Sequence, residues 1–337
     1  AGSVADIVNR RKIMAISGAG MAVIGAVLAI LTFRGTIQLW VIYLAIGLMA
    51  VSTTFEQPAR QAVIPNLVPA EDLHNAFSMQ VIGSEIGALT GPILSGLLIG
   101  RVGQYSPYLV ASFFFAGMIG LLAAIGPIAQ EAEPDQARAR VTLSAIRQGI
   151  RFTVRNPLIL SSMLLDFFAT LLTGAGNLMP IIARDILHVG AEAYGFLSAA
   201  VAIGATAAAA VLTQFKTIRR QGVVLLVSVG LIAVGTILFG LSRSFLLTMA
   251  ALILIGASDS VSAVIRNTIR QLQTPDRLRG RVVSVNQIFF MGGPQLGELR
   301  AGVVAQLTTV PFAIISGGIA CLAALAWADR RWPELRA

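Results

Sequence analysis

The chain contains ten segments that are each long and apolar enough to cross a lipid bilayer as a helix. A hydrocarbon core of about 30 Å needs about 20 apolar residues, because each helical residue advances 1.5 Å. Of the 337 residues, 56% are hydrophobic and 12% are charged, which is more apolar than a soluble domain. The sequence therefore predicts an all-α membrane protein. Its predicted spans are 13–33, 38–55, 75–100, 105–127, 158–179, 194–215, 223–241, 245–265, 282–307 and 311–328.

Basic residues are distributed unequally between the loops on the two sides of these spans. If residue 1 is cytoplasmic, 20 of the 25 Lys and Arg residues fall in inner loops, 4 fall in outer loops, and Arg300 lies within a span. The positive-inside rule then predicts this orientation, with a cytoplasmic C-terminus. Topology thereby explains the net charge of +9, so we expect no nucleic-acid partner.

Three sets of residues recur in the second part of the chain at nearly the same spacing, which indicates an internal duplication. Arg60 and Pro69 correspond to Arg266 and Pro275, at a spacing of 206 residues. The same spacing relates the small residues Gly87, Gly91 and Ser95 to Gly293, Gly297 and Ala301, and a spacing of 209 relates Arg10 and Arg11 to Arg219 and Arg220. Two parallel repeats of six spans are an arrangement found in two-lobed transporters.

The duplication predicts a first half at 1–127, a cytoplasmic linker at 128–157 and a second half at 158–337. Six spans fall in the second half and four in the first, so we expect two further helices of the first half to precede residue 1. The first residues show neither an initiator methionine nor a signal-peptide pattern.

The linker carries an amphipathic pattern. One helical side carries apolar residues and another carries Arg147, Arg151 and Arg155; the apolar positions are Leu143, Ile146, Ile150 and Val154. This pattern is typical of a helix that lies on the inner leaflet. A solvated tether is the alternative interpretation.

Loop motifs connect the sequence to a known family. The N-terminal loop has Gly2, then Asp6 after three residues, then Arg10, Arg11 and Lys12. Residues 58–76, "PARQAVIPNLVPAEDLHNA", and 274–282, "TPDRLRGRV", form the two repeat-related loops. In these features the chain resembles the major facilitator superfamily, in particular its twelve-span exporter branch that includes macrolide-efflux and enterobactin-export proteins. It departs from the N-terminal motif at Ile7 and Asn9, where arginine and glycine are common.

The resemblance implies a monomeric exporter in a bacterial inner membrane. It would move amphipathic small molecules or drugs by alternating access, in exchange for protons, and would need neither a cofactor nor a metal. A dedicated siderophore or metabolite exporter and a non-transporting membrane sensor are the alternatives. An enzyme is not expected, because His74 and His188 fall in loops on opposite sides and Cys321 has no histidine near it in sequence.

Two carboxylates are predicted close to the middle of the membrane. Glu85 and Asp166 each lie about 13–15 Å from the inner end of their spans at 1.5 Å per residue. A charged group at this depth usually faces a cavity or a partner. We therefore predict that both residues couple transport to protons, with a packing role as the alternative.

Other polar residues within the spans are secondary candidates. Glu298 and Asp259 are further proton-coupling candidates, and Asp259 has two alternatives, a helix cap or a partner for Arg266. Arg300 is two residues from Glu298 and is not expected to face it; we expect its side chain to extend toward the outer surface. The candidates for neutral hydrogen bonds, either to a substrate or to neighbouring helices, are Asn177, Asn286 and Gln287.

A glycine motif and a charged loop complete the predicted site. The span that contains Glu85 carries small residues four apart, a spacing that favours close packing against another helix; the motif residues are Gly83, Gly87, Gly91, Pro92 and Gly96. By resemblance, Asp6 pairs with basic loop residues, which include Arg10 and Arg11, and with the start of the eleventh span at Arg281. Such a pair would close the inner side as a gate.

Overall fold

The computed structural model describes residues 10–64, 67–69, 72–125, 143–215, 220–275 and 278–333, and these ranges contain helices and turns without a strand. The all-α prediction is confirmed. The chain divides into two compact units, Ala1–Ala137 and Arg138–Ala337, and each is described by itself. The boundary falls inside the predicted linker, since the second unit includes the linker helix.

The first unit contains four long helices. They are α1 (Arg10–Phe33), α2 (Leu39–Val63), α3 (Leu73–Arg101) and α4 (Ser106–Ile125). α1 packs against both α2 and α4, and α3 contacts α4. A Cβ atom at Gly25 of α1 would lie 3.1 Å from the Tyr108 carbonyl oxygen of α4, so the absence of a side chain there permits this close approach.

The second unit contains the remaining helices. They are α5 (Leu143–Arg155), α6 (Pro157–Thr173), α7 (Ala191–Leu212), α8 (Gln221–Leu241), α9 (Phe245–Gln273), α10 (Arg279–Leu307) and α11 (Val310–Arg331). Between α6 and α7 the chain forms a 3₁₀ turn, Gly176–Leu178, a short helical turn, Met179–Ile181, and a π turn, Ile182–Ile186. The predicted span at 158–179 lies within an apolar segment of membrane-spanning length, Pro157–Ile186. Its regular α-helix ends before Gly174, and the successive short turns follow.

Backbone contact between α7 and α9 requires glycine on both helices. A Cβ atom at Gly204 would overlap the carbonyl oxygen of Ile253, and one at Gly256 would overlap that of Val201. Without these side chains the two helices approach to backbone distance, which increases their van der Waals contact in a lipid environment.

Nine helices in the described residues are long and apolar enough to cross a membrane, by length and composition alone. They correspond to nine of the ten predicted spans; α10 falls outside this set although it has 29 residues. Polar side chains in its middle, including Asn286, Gln287 and Glu298, lower its apolar character. Two helices extend more than one turn past their predicted ends, α2 to Val63 and α9 to Gln273. Helical hydrogen bonding there continues beyond the apolar residues.

The linker forms helix α5, as the amphipathic pattern predicts. It packs against α6 and α10. Thr153 is buried and Phe152 packs against the apolar cluster of Ile159, Met163 and Val282. The apolar side that was predicted to face lipid remains exposed, at 45% for Ile150 and 58% for Val154.

Candidate functional site

Asp166 is in a buried ion pair between α6 and α9. The side chain of Asn156 caps α6 by accepting a hydrogen bond from the Ile159 amide at 3.2 Å, and Pro157 starts the helix. Further along α6, Asp166 Oδ1 lies 2.9 Å from Arg266 Nη1, and both side chains are 7% exposed. Arg266 also donates to Ser262 Oγ at 2.7 Å.

This pair constrains any proton chemistry at Asp166. A guanidinium stays charged at every physiological pH, so protonation of Asp166 in this arrangement would leave the buried charge of Arg266 without its nearest carboxylate. Sequence analysis missed the pair, because the two residues lie far apart along the chain. The available signal was that Arg266 lies within an extended span and needed a partner there.

Asp259 lies at the edge of the same cluster. Its Oδ1 atom is 3.9 Å from Arg266 Nη2, and its side chain is 57% exposed. Of the roles considered for Asp259, the structure therefore favours that of a second, longer-range partner for Arg266. Its role in proton coupling stays a prediction.

Glu298 and Arg300 make hydrogen bonds to the backbone on the two sides of the helix break that follows α6. Glu298 accepts hydrogen bonds from the backbone amides of Gly176 at 2.9 Å and Asn177 at 3.0 Å. Arg300 donates from Nε to the Leu171 carbonyl at 3.2 Å. The carboxylate thus satisfies amides that begin the 3₁₀ turn, and the guanidinium satisfies a carbonyl at the end of α6.

This geometry gives Arg300 backbone partners that the sequence did not predict. Its guanidinium lies against backbone, where Nη1 also donates to the Ala313 carbonyl at 3.4 Å. A helix break exposes carbonyl oxygens that need a donor, and Arg300 is a donor within reach. The sequence signal for the break was the run Gly174, Ala175, Gly176, since glycine commonly ends a helix.

Glu85 is in a different environment. It lies in the middle of α3, is exposed, and makes no hydrogen bond or ion pair with any residue that the structure describes. The neighbouring glycines also lack a packing partner there. A Cβ atom at Gly83, Gly87 or Gly91 would meet nothing within 4 Å among the described residues. Gly96, at the far end of the motif, is buried, and the packing role of the other glycines stays a prediction.

The corresponding positions of the second half do make the predicted contact. A Cβ atom at Gly297 would lie 3.1 Å from the Leu171 carbonyl oxygen and 3.2 Å from Gly174 Cα, and Ala301 is fully buried. The small-residue face of α10 therefore packs on α6, next to the Glu298 and Arg300 contacts.

The side chains of the neutral candidates make no hydrogen bond in the described part of the chain. Asn177 uses its backbone amide for Glu298, while its side chain is exposed. Asn286 is half-buried and Gln287 is exposed on α10. They remain candidates for contact with a substrate.

The predicted inner gate lies only partly within the described residues. Gly2 and Asp6 are outside them, and Arg10 is the first residue of α1. Arg11 Nε donates to the Leu122 carbonyl at 3.0 Å, which ties the start of α1 to the end of α4. Arg281 donates to Gln148 of α5. The pairing of Asp6 with Arg281 stays a prediction.

Nine apolar helices of membrane-spanning length among the described residues, and the polar groups buried in the second unit, are typical of a multi-pass membrane transporter. The family model for transmembrane secretion effectors, a branch of the major facilitator superfamily, matches residues 1–336. The chain belongs to this family. It is 29% identical over 325 residues to the enterobactin exporters EntS of Shigella boydii serotype 18 and of Escherichia coli O139:H28, covering 94% of this chain and 75% of each relative.

Solved structures share the fold at low sequence identity. A bacterial homolog of the human lysosomal transporter Spinster, in an inward-facing and unoccupied conformation, matches with a TM-score of 0.70 and 13% identity, covering 100% of this chain and 86% of the other. A mutant of the peptide transporter POT in complex with alafosfalin matches with a TM-score of 0.71 and 12% identity, covering 99% of this chain and 82% of the other.

Proposed function

We propose that this transporter exports an amphipathic small molecule across the bacterial inner membrane in exchange for protons, by alternating access and with its C-terminus in the cytoplasm. The observation that carries the coupling proposal is Glu85, a carboxylate in the middle of an apolar helix that has no partner among the described residues. A group of this kind can bind and release a proton without breaking another contact. Asp166 would take part only in a conformation in which Arg266 has another anionic partner.

The glutamine variant of Glu85 tests the proposal. In proteoliposomes with an imposed pH gradient, we expect Glu85→Gln to abolish proton-driven efflux and to leave substrate binding intact, because glutamine keeps the shape but cannot exchange a proton. Asp72→Asn is the matched control, since Asp72 is exposed at the start of the same helix and makes no cap hydrogen bond. Normal pH-driven efflux by Glu85→Gln would refute the role of Glu85.

Export of a siderophore is the second candidate function, and the named relatives favour it. A deletion strain separates the two substrate classes. Loss of siderophore from the medium under iron limitation, with unchanged sensitivity to a panel of toxic amphipathic compounds, supports the dedicated exporter. The opposite result supports drug efflux, and transport of neither class by reconstituted protein would support a sensor.

A further inference from the structure

A basic cavity lies where the linker helix meets the first turns of two membrane helices. It has a volume of about 400 Å³ and is lined by Gln148, Arg151, Phe152, Arg155, Leu278 and Arg281. Half of these residues are arginines. None of the three arginines pairs with a carboxylate in the part of the chain that the structure describes. The proton coupling proposed above does not use Arg151 or Arg155, whereas Arg281 is also the predicted gate partner of Asp6.

Secondary structure places the three guanidinium groups around one space. Arg151 and Arg155 are four residues apart on α5, so they lie on one side of that helix. Arg281 comes from the first turn of α10 and donates to Gln148, which lies about one turn before Arg151. This hydrogen bond connects α10 to α5 at the lining of the cavity and orients the Arg281 side chain. The arrangement offers several charge-assisted donors to a single anion, which arginine binds through paired N–H groups.

The position of the cavity indicates where its ligand comes from. Phe152 packs on a cluster of Ile159 and Met163 from the start of α6 and Val282 from the start of α10. Both helices begin at this level, so the cavity lies at the membrane surface. By the positive-inside rule this is the inner surface. Beside the arginine side of α5, Ile150 and Val154 form an exposed apolar side.

We propose that this cavity binds the phosphate of an anionic phospholipid from the inner leaflet. The arginines would contact the phosphate, Phe152 and Leu278 would contact the glycerol region, and the exposed side of α5 would contact the acyl chains. Basic pockets at the inner ends of membrane helices bind lipid headgroups through this chemistry. The volume exceeds that of one small ion, since a water molecule takes about 30 Å³.

Native mass spectrometry of the purified whole protein tests the proposal. Phosphatidylglycerol and phosphatidylcholine are titrated in parallel, with inorganic phosphate and glycerol 1-phosphate as soluble competitors. We expect selective retention of phosphatidylglycerol by the unmodified protein. Each arginine contributes about fivefold to such binding, so Arg151→Gln with Arg155→Gln should weaken retention about 25-fold. Both side chains are exposed, and this double variant leaves the contact between Arg281 and Gln148 in place.

A matched control uses two other arginines on the same side of the membrane. Arg330→Gln with Arg331→Gln removes the same charge from the exposed end of α11 and should weaken retention much less than the first double variant, because these arginines do not line the cavity. Equal loss in both double variants would overturn the proposal in favour of general surface attraction. Equal retention of phosphatidylcholine would overturn it as well. If inorganic phosphate competes at the same concentration as the lipid, the occupant is a soluble anion and the lipid assignment is wrong.

Discussion

At the scale of single residues, the buried charges of the second unit are paired with partners that lie far away in sequence. Asp166 and Arg266 are paired at 2.9 Å with little solvent exposure. Removing charges from water is costly, so an ion pair of this kind contributes little net stability, whereas leaving one member unpaired costs several kcal/mol. The pair therefore specifies how α6 and α9 fit together.

This view predicts strong coupling between the two residues. Asp166→Leu or Arg266→Met alone should destabilise the protein by about 3–5 kcal/mol, because each leaves a buried charge. The free energy of unfolding of the double variant should be closer to that of the unmodified protein than that of either single variant. Unfolding can be followed with a thiol-reactive dye, since Cys321 is the only cysteine and is buried. Additive losses in the double variant would contradict the interpretation.

Glu298 provides a second prediction at this scale. Glu298→Ala should destabilise the protein by about 1–3 kcal/mol, because two backbone amides lose their acceptor. Glu298→Gln keeps one acceptor oxygen and should lose less stability. If Glu298 were the coupling group, Glu298→Gln would instead abolish pH-driven export at unchanged stability. Measuring unfolding and efflux for both variants shows whether Glu298 stabilises the helix break or carries protons.

At the scale of helices, glycine spacing alone does not reveal which helix faces are packed. Gly91 and Gly297 occupy corresponding positions of the repeat, yet only Gly297 lies against another backbone in the described residues. A methyl group at Gly297 must displace α6 from α10. At Gly91 it would meet no atom of the described residues within 4 Å.

We therefore predict opposite effects for one substitution at two equivalent sites. Gly297→Ala should destabilise the chain by about 1–3 kcal/mol through overpacking. Gly91→Ala should be neutral or stabilising by up to about 1 kcal/mol, since alanine is the better helix former. Thermal unfolding of the two variants, monitored through Cys321, checks the comparison. Destabilisation by Gly91→Ala would show that a helix outside the described residues packs there.

At the scale of the whole molecule, orientation follows from loop charge. The 20-to-4 distribution of Lys and Arg predicts a cytoplasmic C-terminus. A fluorescent protein fused after the last residue should therefore fold and fluoresce in bacteria, and alkaline phosphatase fused at the same point should be inactive. An active phosphatase fusion would reverse the predicted orientation and move the basic cavity to the outer surface.

The helical fold, the position of nearly every span and the amphipathic linker helix followed from the sequence alone. These features depend on local properties, because a bilayer requires about 20 apolar residues per helix and the positive-inside rule depends only on loop composition. The sequence also identified several polar groups that the structure places in specific contacts, including Asp166, Glu298 and Arg281.

Only the tertiary structure decided what those groups contact. It paired Asp166 with Arg266, used Glu298 and Arg300 to complete a helix break, and left Glu85 without a described partner. Helical periodicity gives the side of a helix on which a residue lies, but not which other helix packs there. Which helices pack together depends on how side chains from distant segments fit, and local sequence patterns do not predict this fit.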